Sequence, residues 1–348
     1  MRNLLVRLVW VPYNIRMERI ENMRINRPDP GEDVGLEVFF GGAALVSRAG
    51  RAVLGLTGKD PTGMLNAVLT NEVPGDPSLG VYATLLNPKG RVLTDLRALK
   101  DPSGERVLVD TEPEGAGAAR EVLGRYAPFS RVKIEDLSGA GDPWSVLGLY
   151  GPRAAELLDD LHLAEHESAE VAVGGATLLA VGVAVPVPGF DLIGPASSLN
   201  AATDHLLGRG ALPADPDAYE TARIRAGVPR FGTDITPENF PGECGILERA
   251  VSFKKGCYPG QETVARMHYR GHPNKDLHRL AVEGPSPEPG AEILQDGKRV
   301  GTLTSVAPLP LNGRTLALGY LSRKTNPDAP LNMGDTSVRS LALIGNES

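Results

Sequence analysis

The sequence predicts an α+β protein that ends in a small β-only domain, and three observations carry that reading. Over the first three quarters of the chain, strands alternate irregularly with helices, unlike the regular winding of a parallel βαβ fold. From Leu277 onward only short strands and turn signals remain, the pattern of a small barrel. Gly 41 and Pro 29 among 348 residues demand many turns and short elements. That length suffices for about two or three domains with a substantial core.

The elements follow in order. Residues 1–38 read as an extension: Arg2, Arg7 and Arg16 precede the first acid, Glu18, and imitate a leader, but Arg7 interrupts the apolar stretch. No small-residue cleavage site follows, and Met17 and Met23 are alternative starts, so an over-extended gene start is preferred. Residues 27–33 read as linker, and the fold is expected from Phe39. Strands are predicted over 43–46 and 52–56, then a helix with Asp60 as N-cap, Pro61 first, and Met64, Leu65, Val68 and Leu69 on its apolar face. Gly58-Lys59 resembles a phosphate loop, but Val53 and Asp60 stand where glycine and Ser/Thr are needed.

Residues 81–86 and 91–100 form a hairpin around Asn87-Pro88-Lys89-Gly90. On its second strand Asp95 and Arg97 share a face, and their spacing suggests that they pair. Strands follow over 106–110 and 132–137, with a glycine-weakened helix between them. A strand over 145–150 leads into a helix marked by Ala154, Leu157, Leu158 and Leu161. Strands over 176–185 and 190–193, a helix over 197–207 and a helix over 217–226 complete this region. The terminal domain is assigned residues 273–348, with strands over 279–282, 291–294, 299–305 and 315–321; residues 39–272 precede it.

Hydrophobic residues at 41% and charged residues at 23% are ordinary for a soluble globular protein. A net charge of -7 argues against a dedicated double-stranded DNA binder, and no apolar run is long enough to span a bilayer. Two cysteines argue against a disulfide scaffold and fit a reducing compartment, so a cytoplasmic location is expected.

The stretch with most chemical content is Lys254-Lys255-Gly256-Cys257-Tyr258-Pro259-Gly260-Gln261-Glu262. Tyr258-Pro259-Gly260 reads as a tight turn, and a helix is expected from Gln261 to Met267. Cys257 would then sit just before a helix N-terminus beside two lysines, both of which favour the thiolate. Residues 249–279 hold seven Lys/Arg and two acids, Glu262 and Asp276, a local charge of +5. Such a window suits an anionic partner. Cys244, Cys257, His268 and His272 offer metal-ligand atoms, but their spacing is unlike structural zinc sites, so no metal is assigned. Without a recognisable oxyanion hole, a Cys–His hydrolase is also disfavoured. Direct RNA binding ranks last, since Tyr258 and Tyr269 alone do not make an aromatic platform.

Lys255-Gly256-Cys257-Tyr258-Pro259-Gly260-Gln261-Glu262 resembles the K-G-C-Y-x-G-Q-E signature of the YgfZ family of folate-binding proteins. Leu56-Thr57-Gly58-Lys59-Asp60, Leu86-Asn87-Pro88-Lys89-Gly90-Arg91, residues 222–229 and Val300-Gly301 are similar to further landmarks of that family, in the expected order. The resemblance implies an aminomethyltransferase-like cloverleaf of two interleaved α+β units plus a C-terminal β-barrel, around a central hole that binds tetrahydrofolate or a derivative. It also implies a role in assembling or repairing iron–sulfur enzymes, including tRNA-modifying ones, with those proteins or their assembly machinery as partners. In that role Cys257, with Lys255, would be the working thiol, and Gly256, Tyr258, Gly260, Gln261 and Glu262 the motif around it. Similarity to the aminomethyltransferase of glycine cleavage implies cofactor-binding roles for Asp95 and for Arg223, the latter toward the folate tail. The family's second acid is replaced here by Thr94, which counts against aminomethyl transfer; a transferase or N-demethylase remains the alternative.

Overall fold

The structure, a computed structural model, describes residues 34–101, 104 and 106–345. The extension read from the sequence lies outside the described residues up to position 33. A helix, Val34–Gly41, straddles the start expected at Phe39, and both Leu36 and Phe39 are buried, so packed structure begins before that residue.

Two sheets and a barrel make up the fold. Strand β1 (Ala44–Ser47) enters the first sheet, and the chain then leaves to build the second. The second sheet takes β2 (Ala52–Gly58), β3 (Val81–Leu86), β4 (Val92–Lys100), β5 (Val107–Thr111) and β6 (Val132–Asp136) in the order β3-β4-β5-β2-β6. The chain returns through β7 (Trp144–Tyr150), β8 (Ser168–Val173), β9 (Ala176–Val183), β10 (Gly189–Pro195) and β11 (Leu212–Pro213). These complete the first sheet in the order β11-β1-β7-β10-β9-β8. The two α+β units are therefore interleaved. Strands β12 (Lys275–Glu283), β13 (Glu292–Gln295), β14 (Lys298–Val306), β15 (Arg314–Ser322), β16 (Leu331–Met333) and β17 (Thr336–Leu343) close a barrel.

Helices Pro61–Val68 and Pro113–Ser130 cover the outer face of the second sheet, burying Met64, Leu65, Ala119 and Leu123 against Leu56, Leu96 and Val109. The first of these helices starts as its residues dictate: the Asp60 carboxylate accepts the Gly63 N–H at 2.8 Å and Pro61 opens the first turn. Helix Ala196–Gly208 covers the first sheet. The inner faces meet through Val53, Leu99 and Leu108 on one side and Val146, Val181 and Ile193 on the other.

Beside this apolar layer the interface is ionic. Arg97 grips Asp110, its direct cross-strand neighbour on β5, through Nε at 2.9 Å and Nη2 at 2.6 Å, and reaches Asp191 on β10 at 2.7 Å. The expected Asp95–Arg97 pair is therefore not formed, because a residue directly opposite on the next strand is closer than one two positions along the same strand. Arg51 binds Asp110 at 2.8 Å and also Glu112, Arg48 binds Glu112 at 3.0 Å, and the Tyr150 hydroxyl donates to Asp191. Burial opposes charge on Asp110 and Asp191, but the arginines outweigh it and hold both carboxyls below the usual range.

Other departures have local causes. The helix expected through Leu161 is one turn, Ala154–Leu157, ended by Asp159 and Asp160 at φ 54° and 61°. Strands β8, β11, β16 and β17 were not read from the sequence; β11 spans two residues, and β17 places Ser337, Arg339 and Ser340 where apolar alternation would have marked it.

Arg97→Met is expected to cost roughly 3–5 kcal/mol, because it strands two buried carboxylates without their cation. Urea unfolding checks this; a loss below about 1 kcal/mol would show that the ionic layer contributes little.

Candidate functional site

Beside the ionic layer a cavity of about 630 Å³ lies where the second sheet, the end of β1 and helix Pro216–Arg225 converge. Arg48, Asp95, Glu112, Tyr219, Arg223 and Arg230 line it. It shares Arg48, Arg51, Asp95 and Glu112 with a narrower chamber of about 110 Å³ that Tyr82 and His166 also line.

Asp95 sits where the two spaces join. The β4 alternation directs Leu96 and Ala98 into the helix-covered core and Asp95 toward the cavity. Its carboxylate accepts the Tyr82 hydroxyl at 2.7 Å, and among the described residues no cation lies within ion-pair distance of it. Burial raises the carboxyl from the ordinary 3.8 to about 6, against the opposing Tyr82 hydrogen bond. His166, at φ 64°, has its Nδ1 buried without a partner, and burial, aided by Arg97, lowers the ring to about 4. Tyr82 and His166 escaped the sequence reading, since neither stands in a motif; their one available signal was that Tyr82 lies opposite the Asp95 strand in the hairpin.

Arg223 lines the cavity, but its guanidinium donors go to protein partners. Its Nε and Nη2 bind Glu220 at 2.9 and 2.6 Å, Nη1 binds the Val228 carbonyl and Asp234 at 2.5 and 2.8 Å, and Nη2 binds Ser305 at 2.8 Å. All five guanidinium donors are spent inside the protein, where they tie the helix to the 228–234 loop and the barrel. Arg230 lines the same cavity with a side chain 40% exposed and two long contacts, to Glu220 at 3.2 Å and to the Thr233 hydroxyl at 3.3 Å.

Cys257 is exposed, on a loop that other residues fasten. The Lys255 ammonium donates to the carbonyls of Asn66 at 2.8 Å, Leu69, and Asn71 at 3.4 Å, around the C-terminus of helix Pro61–Val68. Lys255 thus anchors the loop to that helix end. The Thr70 hydroxyl donates to the Ala250 carbonyl at 2.6 Å, and the Thr70 carbonyl accepts the Ser252 N–H at 2.9 Å. Tyr258 is buried, and burial pushes its phenol up to about 12. Gly260 has φ 82°, and a Cβ there would stand 2.6 Å from the Asn87 carbonyl and 2.9 Å from Gly90 Cα, so only glycine lets the loop close onto the β3–β4 turn. Gln261 then opens helix Gln261–Arg270, with Glu262 exposed, and a Cβ added at Gly256 would meet nothing within 4 Å among the described residues.

The remaining sulfur is structural. Cys244 is fully buried, donates to the Phe240 carbonyl at 3.3 Å and lies 3.2 Å from the Tyr320 hydroxyl; burial pushes its thiol up to about 12. His268 stacks on Phe253, and among the described residues no three His, Cys, Asp or Glu side chains gather as a metal-holding group. No helix among them is long and apolar enough to cross a membrane.

Two interleaved α+β units beside a polar cavity, followed by a closed six-stranded barrel, make an aminomethyltransferase-like fold. The chain belongs to the GCVT N-terminal domain family, which residues 46–255 match, and residues 275–341 match the CAF17 C-terminal beta-barrel domain. It is 27% identical over 311 residues to the tRNA-modifying protein YgfZ of Yersinia pestis strain Pestoides F, covering 86% of this chain and 90% of that one. A chloroplastic putative transferase of Arabidopsis thaliana is 26% identical over 305 residues, 84% of this chain and 68% of its own. The fold is similar to the glycine cleavage system aminomethyltransferase T of Bartonella henselae, with TM-score 0.77 and 20% identity over 90% of this chain and 88% of that one.

Because the Asp95 carboxyl is raised on folding, its contribution to stability is complete below the unfolded value of 3.8 and lost as pH rises through about 6. Asp95→Asn is therefore expected to be more stable than wild type near pH 8, by up to about 3 kcal/mol, with the gap closing toward pH 4. Urea unfolding across that range checks it; a gap that ignores pH would refute it.

Proposed function

We propose that this protein is a cytoplasmic, tetrahydrofolate-binding accessory factor in the assembly or repair of iron–sulfur enzymes, tRNA-modifying ones among them, working through Cys257. One observation carries the reading: a single hairpin carries Asp95 and touches the loop that bears Cys257. Strand β4 presents Asp95 to the cavity, and the β3–β4 turn receives Gly260, three residues after the exposed Cys257. The Yersinia relatives, tRNA-modifying proteins, agree with it.

The cavity residues fit a reduced folate. Asp95 offers a carboxylate to the polar edge of a pterin, and Tyr219, whose ring stacks on Tyr150 at 5.6 Å, offers a flat wall. With Arg223 committed, Arg230 is the cation left to meet a glutamyl carboxylate. Tetrahydrofolate, when bound, supplies carriage of a one-carbon unit. Asp95, titrating near 6, gives or takes a proton at its carboxyl near neutral pH, while Tyr82 fixes its orientation. That same carboxyl favours the second reading, a folate-dependent aminomethyltransferase or N-demethylase.

Tetrahydrofolate binding by calorimetry is expected for wild type, weakened at least ten-fold in Asp95→Ala and unchanged in Cys257→Ser. In cells lacking the protein, wild type is expected to restore iron–sulfur enzyme activities and Cys257→Ser to fail at equal abundance. Full restoration by Cys257→Ser would sink the thiol's role, and turnover of an aminomethyl donor lost only in Asp95→Ala would establish the transferase instead.

A further inference from the structure

Beside the thiol loop the fold builds a surface that neither the cavity nor the cysteine explains. Phe253 stacks on His268 with ring centroids 4.2 Å apart and planes 17° from parallel, and Tyr269 stands edge-on to both at 5.6 and 4.7 Å. Tyr269 is 68% exposed, and of helix Gln261–Arg270 only Val264 is buried. Burying an aromatic group ordinarily stabilises a protein, so a tyrosine held outward on a three-ring cluster is a candidate contact.

Unused positive charge surrounds the rings. Arg266 and Arg270 are one turn apart, with Tyr269 three residues from Arg266 on the same face. Lys254, Arg266 and Arg270 are exposed, and among the described residues none has a carboxylate within ion-pair distance. Glu262 is the acid on that helix. By contrast Arg249, at the edge of the same +5 window, is paired with Glu165, and Asp276 inside it is paired with Arg323.

We propose that this surface binds single-stranded RNA, with a base stacked on the exposed Tyr269 ring and phosphates held by Lys254, Arg266 and Arg270. The charge alone would serve any anion. The exposed His268 and Tyr269 rings favour a strand with free bases over the carboxylates of an acidic protein, which have no π-face, and over a duplex, whose bases are already stacked. The platform was not legible in the sequence because Tyr258, which looked like its second member, is buried, whereas Phe253 and His268 are joined to Tyr269 only by the fold.

Fluorescence anisotropy with a labelled single-stranded RNA of about 12 nucleotides tests this. Tyr269→Ala is expected to weaken binding by roughly ten-fold. The double variant Arg266→Ala, Arg270→Ala should flatten the slope of log K against log salt by about 1.4. Phe129→Ala, at a residue 87% exposed on another helix, should change nothing. Asp95→Ala should also bind RNA normally, so this inference and the folate reading fail separately. All of the surface substitutions leave the core intact, which circular dichroism verifies. Absence of salt-dependent binding overturns the proposal, as does equal binding by Tyr269→Ala and Phe129→Ala. Polyglutamate competing as well as RNA, with Tyr269 irrelevant, would assign the surface to an acidic protein and also overturn it.

Discussion

The molecule depends on one ionic layer between its two sheets. Arg48, Arg51 and Arg97 are matched there by Asp110, Glu112 and Asp191, with contributions from β4, β5, β10 and the β1–β2 connection. Such groups stay buried only when each charge keeps its partner, so the layer fixes how the sheets face each other more sharply than an apolar layer would. It also leaves one carboxyl over. Asp95 shares the neighbourhood but not the cations, and what makes it chemically unusual is the completeness of its neighbours' pairing.

The glycines of two motifs carry a second constraint. Gly260 at φ 82° and Gly90 at φ 82° let the thiol loop and the β3–β4 turn touch backbone to backbone, while Lys255 fastens the other side of the loop to a helix end. The two stretches that stood out in the sequence are thus halves of one contact. An exposed cysteine held this way has a defined position without being buried, a useful combination for a group that must meet a partner.

Much of the fold was legible because local chemistry and tertiary demand agree. Asp60-Pro61 caps a helix, the 81–86 and 91–100 segments make a hairpin, and the β-only tail makes a barrel. Legibility failed where the deciding partner is distant in the chain. Arg97 chose Asp110 and Asp191 over Asp95, and Arg223 turned inward to Glu220, Asp234 and Ser305. Lys255 likewise went to carbonyls near residue 69 rather than to the neighbouring thiol. Strand β17 was missed because its polar residues fall on both faces, and it is recognisable only by the barrel it completes.

The interleaving of the sheets bears on how the chain is made. Ala44 pairs with Tyr150, so β1 emerges from the ribosome long before its antiparallel neighbour β7 exists. Meanwhile β2 to β6, contiguous in the chain, can complete their own sheet. Distant pairings form slowly, and an apolar strand left waiting is open to the wrong partner. The second sheet is thus the natural first folding unit, and β1 is the segment most in need of protection during synthesis.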